Sequence, residues 1–231
     1  MIASGNALAV LNERIVKCER CPELRAYCAE VARVRRKSYR DQEYWAKPVP
    51  SFGDPDARVL VLGLAPGAHG SNRTGRPFTG DGSGDFLYPV LHEAGFASQP
   101  KAVSRDDGMK LNELWISAVV RCAPPANKPS PEELRNCASW LDDEITLLTK
   151  LRVVVCLGKI AFDGFLNHQL RARRIASRKG LEFRHGSEYA LAGAVTLMAS
   201  YHPSLQNTNT GKLTRGMFLD VFRRARAAAD L

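Results

Sequence analysis

RVLVLGLAPGAHGSNRTGRPFTGD, residues 58 to 81, joins a continuous apolar run to a glycine-rich segment. Apolar runs of this length without alternation are typical of strands buried on both faces of a parallel sheet. Three further runs predict strands of the same kind, at 114–120, 152–158 and 194–200. Helical patterns flank or separate these runs, at 6–16, 131–149, 159–169 and 215–229. The chain therefore alternates between strands and helices.

Strands that alternate with helical crossovers predict an α/β fold, here a three-layer α/β/α sandwich with a central, mostly parallel sheet. We expect one domain over residues 1–231, a length that suits a single buried core. The loops at 64–83, 121–130 and 201–214 all follow predicted strands. Ligands bind at the carboxyl ends of the strands in such sheets, so these three loops predict the rim of an active site.

The composition is basic, with 33 Lys and Arg residues against 24 Asp and Glu residues and a formal charge of +9. Such a charge balance is typical of a protein that binds a polyanion. Two dense basic runs lie at 33–40 and 171–179, and each is either a phosphate-binding surface or an ordinary solvated face. No apolar run is long enough to span a membrane, and the first residues lack the basic region of a signal peptide. We therefore expect a cytoplasmic protein that contacts no membrane.

Four of the six cysteines have a spacing that suggests a metal site, namely Cys18, Cys21, Cys122 and Cys137. The first two form a C-x-x-C pair after a predicted helix, and the other two lie on a rim loop and on the helix after it. Four thiolates suit either tetrahedral zinc or an iron-sulfur cluster, and a single C-x-x-C pair also occurs as a redox motif, so the spacing leaves these alternatives open. Cys156 falls inside a predicted strand, where we expect a small buried hydrophobe, and the pattern assigns no role to Cys28.

The three rim loops carry distinctive motifs, GLAPGAHGSNRTGRPFTGD at 63–81, RCAPPANKPSPEEL at 121–134 and HPSLQNTNTGKLT at 202–214. The first motif lacks the G-K-[ST] ending of a nucleotide-binding loop. Together with the order of the four cysteines, these motifs make residues 13–222 resemble the uracil-DNA glycosylase superfamily. The specific likeness is to family 5, the type-b enzymes that carry a 4Fe-4S cluster. The resemblance implies that the four cysteines ligate such a cluster rather than zinc.

A protein of this family is a monofunctional DNA glycosylase that acts in base excision repair. The resemblance implies that the partner is double-stranded DNA containing uracil, which is flipped out of the helix before its N-glycosidic bond is hydrolysed. We expect a monomer that works at the nucleoid and favours U·G mispairs, which are the easiest to open. Two other classes stay open on the residues alone, a non-catalytic nucleic-acid-binding protein with a structural four-cysteine metal site and an electron carrier.

Individual roles follow from the resemblance at matching positions. Phe78 is similar to the aromatic residue that stacks on the extruded base, and its alternative role is core packing. His202 is similar to the residue that hydrogen-bonds the uracil carbonyl, although a lone histidine is more often structural. Leu205 corresponds to the wedge that fills the vacated base stack, while Ser204 and Asn207 correspond to phosphate contacts.

The chain also departs from the pattern of many superfamily members. Ala65 stands where others carry a water-activating Asp, Asn or Glu, and Ala118 stands where others carry an Asn that reads uracil. We expect Asp81 to position the water instead, with Asn127 as a second candidate, although Asp81 is equally suited to cap the helix that follows. Gly63 lets the backbone approach the ligand. Without an amide at position 118, we expect activity on further deaminated bases such as hypoxanthine.

Overall fold

The computed structural model describes residues 4–231, in which strands and helices alternate as the apolar runs predict. The strands are β1 Phe52–Gly53, β2 Val59–Gly63, β3 Leu114–Ala118, β4 Val153–Leu157, β5 Glu188–Leu191 and β6 Val195–Ser200. The helices are α1 Ser4–Val16, α2 Pro22–Val34, α3 Ser71–Thr74, α4 Gly82–Glu93, α5 Pro131–Leu147, α6 Lys159–Arg171, α7 Leu205–Asn209 and α8 Arg215–Ala228. Short 3-10 turns lie at Lys37–Tyr39 and Pro125–Asn127.

The six strands form one mixed sheet in the order β1-β3-β2-β4-β6-β5. The four central strands are parallel, and only the two edge strands run antiparallel to their neighbours. The predicted mostly parallel sheet is therefore confirmed. Gly63 and Ala118 are register partners at the carboxyl ends of β2 and β3, so both belong to the predicted rim.

Side chains alternate between the two faces of each strand, and helices cover both faces of the sheet. Val59 and Val61 of β2 belong to the core that includes α4 and α8. Leu60 and Leu62 belong to the opposite core, which includes α5 and α6. The three-layer α/β/α sandwich is confirmed. A third apolar cluster lies outside these layers, where α1 and α2 meet α5.

Helix α5 begins as its sequence predicts. Ser130 accepts a hydrogen bond from the backbone N–H of Glu133, whose side chain accepts one from the backbone N–H of Ser130, and Pro131 occupies the first turn. This capping box gives α5 a defined start beside the rim. It also fixes the position of Cys137, which is buried on the same helix.

The sequence patterns do not predict α2, α7 or the edge strands β1 and β5. The edge strands span two and four residues, and none of their residues is fully buried, so they carry no continuous apolar run. Helix α7 occupies part of the loop predicted at 201–214, where Ser204 caps it by accepting from the backbone N–H of Asn207. Among the residues described, no helix is long and apolar enough to cross a membrane.

Candidate active site

The three rim loops meet at the carboxyl edge of the sheet around a cavity of about 510 Å³. We call this space the rim cavity. It brings together nine of the residues predicted from the sequence, Gly63, Ala65, Phe78, Asp81, Ala118, Asn127, His202, Ser204 and Leu205. A cavity of this size at strand ends is typical of a small-molecule or nucleobase site.

Phe78 and His202 form an aromatic slot in the rim cavity, with ring centroids 5.9 Å apart and planes inclined by 31°. Two glycines make room for the slot. A Cβ at Gly63 would lie 3.0 Å from the Phe78 ring, and a Cβ at Gly84 would lie 1.8 Å from the Phe78 carbonyl oxygen. The Phe78 ring therefore lies directly against the end of β2, and it also packs against the core that includes α4 and α8.

His202 is neutral at physiological pH, because burial lowers its pKa to about 4. The side-chain amide of Asn207 donates to the His202 carbonyl oxygen at 2.8 Å, and Ser204 Oγ accepts from the Asn207 backbone N–H at 3.4 Å. Asn207 does not line the rim cavity, although it was predicted among the substrate contacts. Its observed role is to hold the loop that carries His202.

Asp81 caps α4, which confirms one of its two predicted roles. Its Oδ1 accepts from the backbone N–H groups of Ser83 at 3.0 Å and Gly84 at 3.1 Å. Within residues 4–231, Oδ2 accepts no hydrogen bond and faces the loop at Gly70, where an added Cβ would lie only 1.9 Å away. Burial raises the pKa of Asp81 against the opposing effect of the two backbone bonds. One oxygen is thus used in capping, and the other is free for a ligand.

The remaining predicted residues surround the mouth and floor of the rim cavity. Asn127 is exposed and left-handed, with φ of 55°, at the end of the Pro125–Asn127 turn. Leu205 is 58% exposed and lies over Gly82, where an added Cβ would come within 2.6 Å of Leu205 Cδ2. Ala65 and Ala118 present only methyl groups, so the floor carries no side-chain amide at those positions.

A buried ion pair supports the floor of the rim cavity and was not predicted. The Arg121 guanidinium donates to the Glu144 carboxylate at 2.8 Å and to the Ser51 hydroxyl. Glu144 also accepts from the Trp115 indole N–H at 2.9 Å and from the Ser117 hydroxyl. Arg121 is only 2% exposed. The sequence offered one signal for this pair, namely a charged residue, Arg121, directly after a predicted buried strand. No local pattern identifies its partner, because Glu144 lies 23 positions away in the chain.

The four predicted cysteine ligands lie in or against the third apolar cluster. Cys18 and Cys21 occupy the turn between α1 and α2, whereas Cys122 and Cys137 are buried. The pKa of the Cys137 thiol is raised by burial and by the neighbouring thiols of Cys21 and Cys18. Cys28, left unassigned by the sequence, lies beside Cys122 and donates to the Ala123 carbonyl oxygen at 3.6 Å.

All six cysteines are free thiols. Cys156 is fully buried in β4, as predicted. In the part of the chain that the structure describes, no group of three or more His, Cys, Asp or Glu side chains is arranged to hold one metal ion. A 4Fe-4S cluster has a different requirement, because each of its four irons binds one cysteine thiolate.

The three-layer α/β/α sandwich is the fold of a class of DNA glycosylases. The chain belongs to the uracil DNA glycosylase superfamily, whose sequence profile matches residues 50–226. It is 53% identical to the Type-5 uracil-DNA glycosylase of Thermus thermophilus, over 95% of this chain and 97% of the relative. It is 45% identical to the Type-5 uracil-DNA glycosylase of Pyrobaculum aerophilum, over 94% and 91% of the two chains. A Type-4 uracil-DNA glycosylase of Thermotoga maritima is 26% identical over 98% of this chain and 97% of its own length.

Proposed function

We propose that this protein excises uracil from double-stranded DNA by hydrolysing the N-glycosidic bond, as a monofunctional glycosylase of base excision repair. The observation that carries the proposal is the convergence of Phe78, His202 and Asp81 on the rim cavity. We also propose that the working unit is a monomer. Because its substrate is chromosomal DNA, we place its action at the nucleoid in the cytoplasm.

Access to a base inside a duplex requires that the nucleotide is flipped out, at a cost of a few kcal/mol. Phe78 offers a ring face on which the extruded base stacks. Leu205 is exposed beside the cavity mouth, where an apolar wedge can fill the space that the base vacates. Ser204 lies next to this wedge and is available for a phosphate contact. Mispaired U·G sites are favoured because they cost least to open.

The neutral His202 fits a leaving base that departs as an anion. Its imidazole N–H donates to the carbonyl oxygen on which negative charge grows as the glycosidic bond breaks, so the interaction strengthens in the transition state. An imidazole with a pKa of about 4 is not protonated at neutral pH, so it stabilises this charge as a hydrogen-bond donor. Asn207 orients the residue by holding its backbone carbonyl.

The free oxygen of Asp81 is suited to the sugar side of the reaction. As a carboxylate it stabilises the positive charge on the sugar and accepts a proton from the attacking water. Asn127 at the cavity mouth is a second group that can orient this water. The hydrolysis then leaves an abasic site and a free base.

The floor of the rim cavity supports a wider range of bases than uracil alone. Ala118 and Ala65 provide no amide or carboxylate to select one pyrimidine edge, and Gly63 adds no bulk. We propose that hypoxanthine is released as well. Uracil release with none from hypoxanthine-containing duplexes would refute this part.

We propose that Cys18, Cys21, Cys122 and Cys137 hold a 4Fe-4S cluster. Their thiols are soft ligands, lie close enough to affect one another's pKa, and line one side of an apolar cluster. When bound, the cluster supplies iron-thiolate bonds that join the α1–α2 turn to the rim loop and to α5. These residues thereby fix one wall of the active site.

The experiment for the catalytic proposal is a single-turnover assay on duplex DNA with one U·G pair. Wild type should produce an abasic site, and His202→Ala should be slower by about 10²- to 10³-fold. His92→Ala is the matched control, because His92 is exposed on α4 and does not line the cavity. No abasic product from wild type would refute the enzyme, and tight duplex binding by that inactive protein would support a non-catalytic binding protein instead.

A further inference from the structure

We propose that a basic surface outside the rim loops binds phosphates of the duplex that flank the base held in the rim cavity. This surface is formed by Arg36, Lys37, Arg40 and Lys47. We call this surface the N-terminal ridge. The proposal rests on the proposed function, because it concerns the same DNA substrate. It extends the DNA footprint beyond the rim loops to a segment that the catalytic proposal does not use.

The N-terminal ridge is fastened to the wall of the rim cavity through Arg73. The Arg73 guanidinium lies 3.9 Å over the ring of Tyr39, in the middle of the ridge. Its Nη2 donates to the Gly80 carbonyl oxygen at 2.6 Å, directly before Asp81. Its Nε donates to the His69 carbonyl oxygen at 2.8 Å. One side chain thus ties the ridge to the loop that carries the capping carboxylate.

Backbone hydrogen bonds join the same two segments. The N–H of Trp45 donates to the carbonyl of Arg73 at 2.9 Å, and the N–H of Ala46 donates to the carbonyl of Asn72 at 3.0 Å. The Trp45 ring lies against Gly75, where an added Cβ would come within 2.8 Å. The ridge therefore has a fixed position relative to the rim cavity.

The ridge carries charge that the protein does not neutralise. Residues 33–47 contain six Lys and Arg residues against two Asp and Glu residues. All four ridge side chains are exposed, and none of them forms an ion pair within residues 4–231. Arg105 adds a further exposed cation 4.3 Å over the Trp45 ring. A row of phosphates is the partner that this unpaired charge fits.

The second basic run, at 171–179, begins at the opposite end of the sheet, where the amino ends of the parallel strands lie. Arg174 lines a small cavity together with Leu151 and Val195, which stand at the amino ends of β4 and β6. Arg171 and Arg178 of this run are paired with acidic side chains. Arg152, directly before β4, is exposed at the same end. A duplex seated on the rim cavity does not reach this end, so Arg152, Arg173 and Arg174, which form no ion pair within residues 4–231, provide a matched control.

The test measures binding of a lesion-free duplex over a range of salt concentrations for two triple variants. The ridge variant is Lys37→Ala/Arg40→Ala/Lys47→Ala. The control variant is Arg152→Ala/Arg173→Ala/Arg174→Ala, which removes the same charge from exposed residues.

The slope of log K against log salt concentration, where K is the association constant, should become less negative by about 0.9 for each lost phosphate contact. At 0.1 M salt, each lost contact should therefore weaken binding roughly eightfold. We expect a flattening of roughly two to three units for the ridge variant and none for the control. An unchanged melting temperature shows that both variants are folded.

Equal slopes for the ridge variant and wild type would overturn the proposal. Equal flattening in both variants would also overturn it, since net charge rather than contact would then be responsible. If the ridge variant changed the salt dependence of binding to single-stranded DNA but not to duplex DNA, the choice of duplex DNA as the partner would be overturned. Uracil release by wild type is measured in parallel. A failure of the catalytic proposal would appear as absent uracil release, whereas a failure of the present proposal would appear only in the salt dependence of duplex binding.

Discussion

Replacing Asp81 separates its capping role from its proposed catalytic role, because the two carboxylate oxygens have different surroundings. Oδ1 accepts two backbone N–H groups at the start of α4, while Oδ2 takes no hydrogen bond in the described part of the chain. Asn is as good an N-cap as Asp, so Asp81→Asn keeps the two capping bonds and loses only the charge. Asp81→Ala loses both functions.

The expected magnitudes differ accordingly. Asp81→Ala should lower the free energy of unfolding by about 1 kcal/mol, the usual cost of a lost cap, and the melting temperature by roughly 2–4 °C. Asp81→Asn should cost less than about 1 kcal/mol, mainly the charge at the helix N-terminus. Both variants should lose roughly 10²- to 10⁴-fold in the single-turnover rate, the usual contribution of a positioned acid or base.

Thermal melts and single-turnover uracil release on one U·G duplex provide the assay. The wild-type rate should also fall as the pH drops through the raised pKa of Asp81, and Asp81→Asn should lack this acid limb. An Asp81→Asn variant with the wild-type rate would refute the catalytic role and leave Asp81 as a helix cap alone.

Three further perturbations test the site and its supports. His202 stays neutral down to about pH 4 in the folded protein, whereas an unfolded histidine takes up its proton near pH 6.5. Stability should therefore fall as the pH drops from about 6.5 to about 4, and the melting temperature of His202→Gln should show less of this fall. Glu144→Gln should leave the buried Arg121 charge unpaired, at a cost of about 3–5 kcal/mol and roughly 6–20 °C in melting temperature. The exposed Glu132→Gln on the same helix is its control, and equal melting of the two variants would contradict this view of the ion pair. Cys137→Ser should lose bound iron and melt at a lower temperature, whereas loss of activity at an unchanged melting temperature would show that the cluster is not structural.

Much of the site was predictable because its parts are short segments with local signals. The apolar runs at 58–63, 114–120 and 194–200 contain strands, and the rim loops follow them as predicted. Asp81 has the sequence context of a helix cap and is one. His202 lies two residues after the end of β6, so its place at the rim follows from the strand pattern.

Other parts depend on residues far apart in the chain, and no local pattern encodes them. The N-terminal ridge and the run at 171–179 are similar in composition, yet the ridge is fastened beside the rim cavity and the second run begins at the opposite end of the sheet. The sequence shows only that both are basic.

The sequence by itself determined the layers of the sandwich and the three rim loops, because periodicity, capping and turn signals act over a few residues. Only the tertiary structure decided that Arg121 pairs with Glu144, that Asp81 has one free oxygen, and that Asn207 supports His202 instead of lining the cavity. The reason is physical. Burial, desolvation and the pairing of distant side chains arise when the layers pack, and that packing sets both the pKa of His202 and the free oxygen of Asp81.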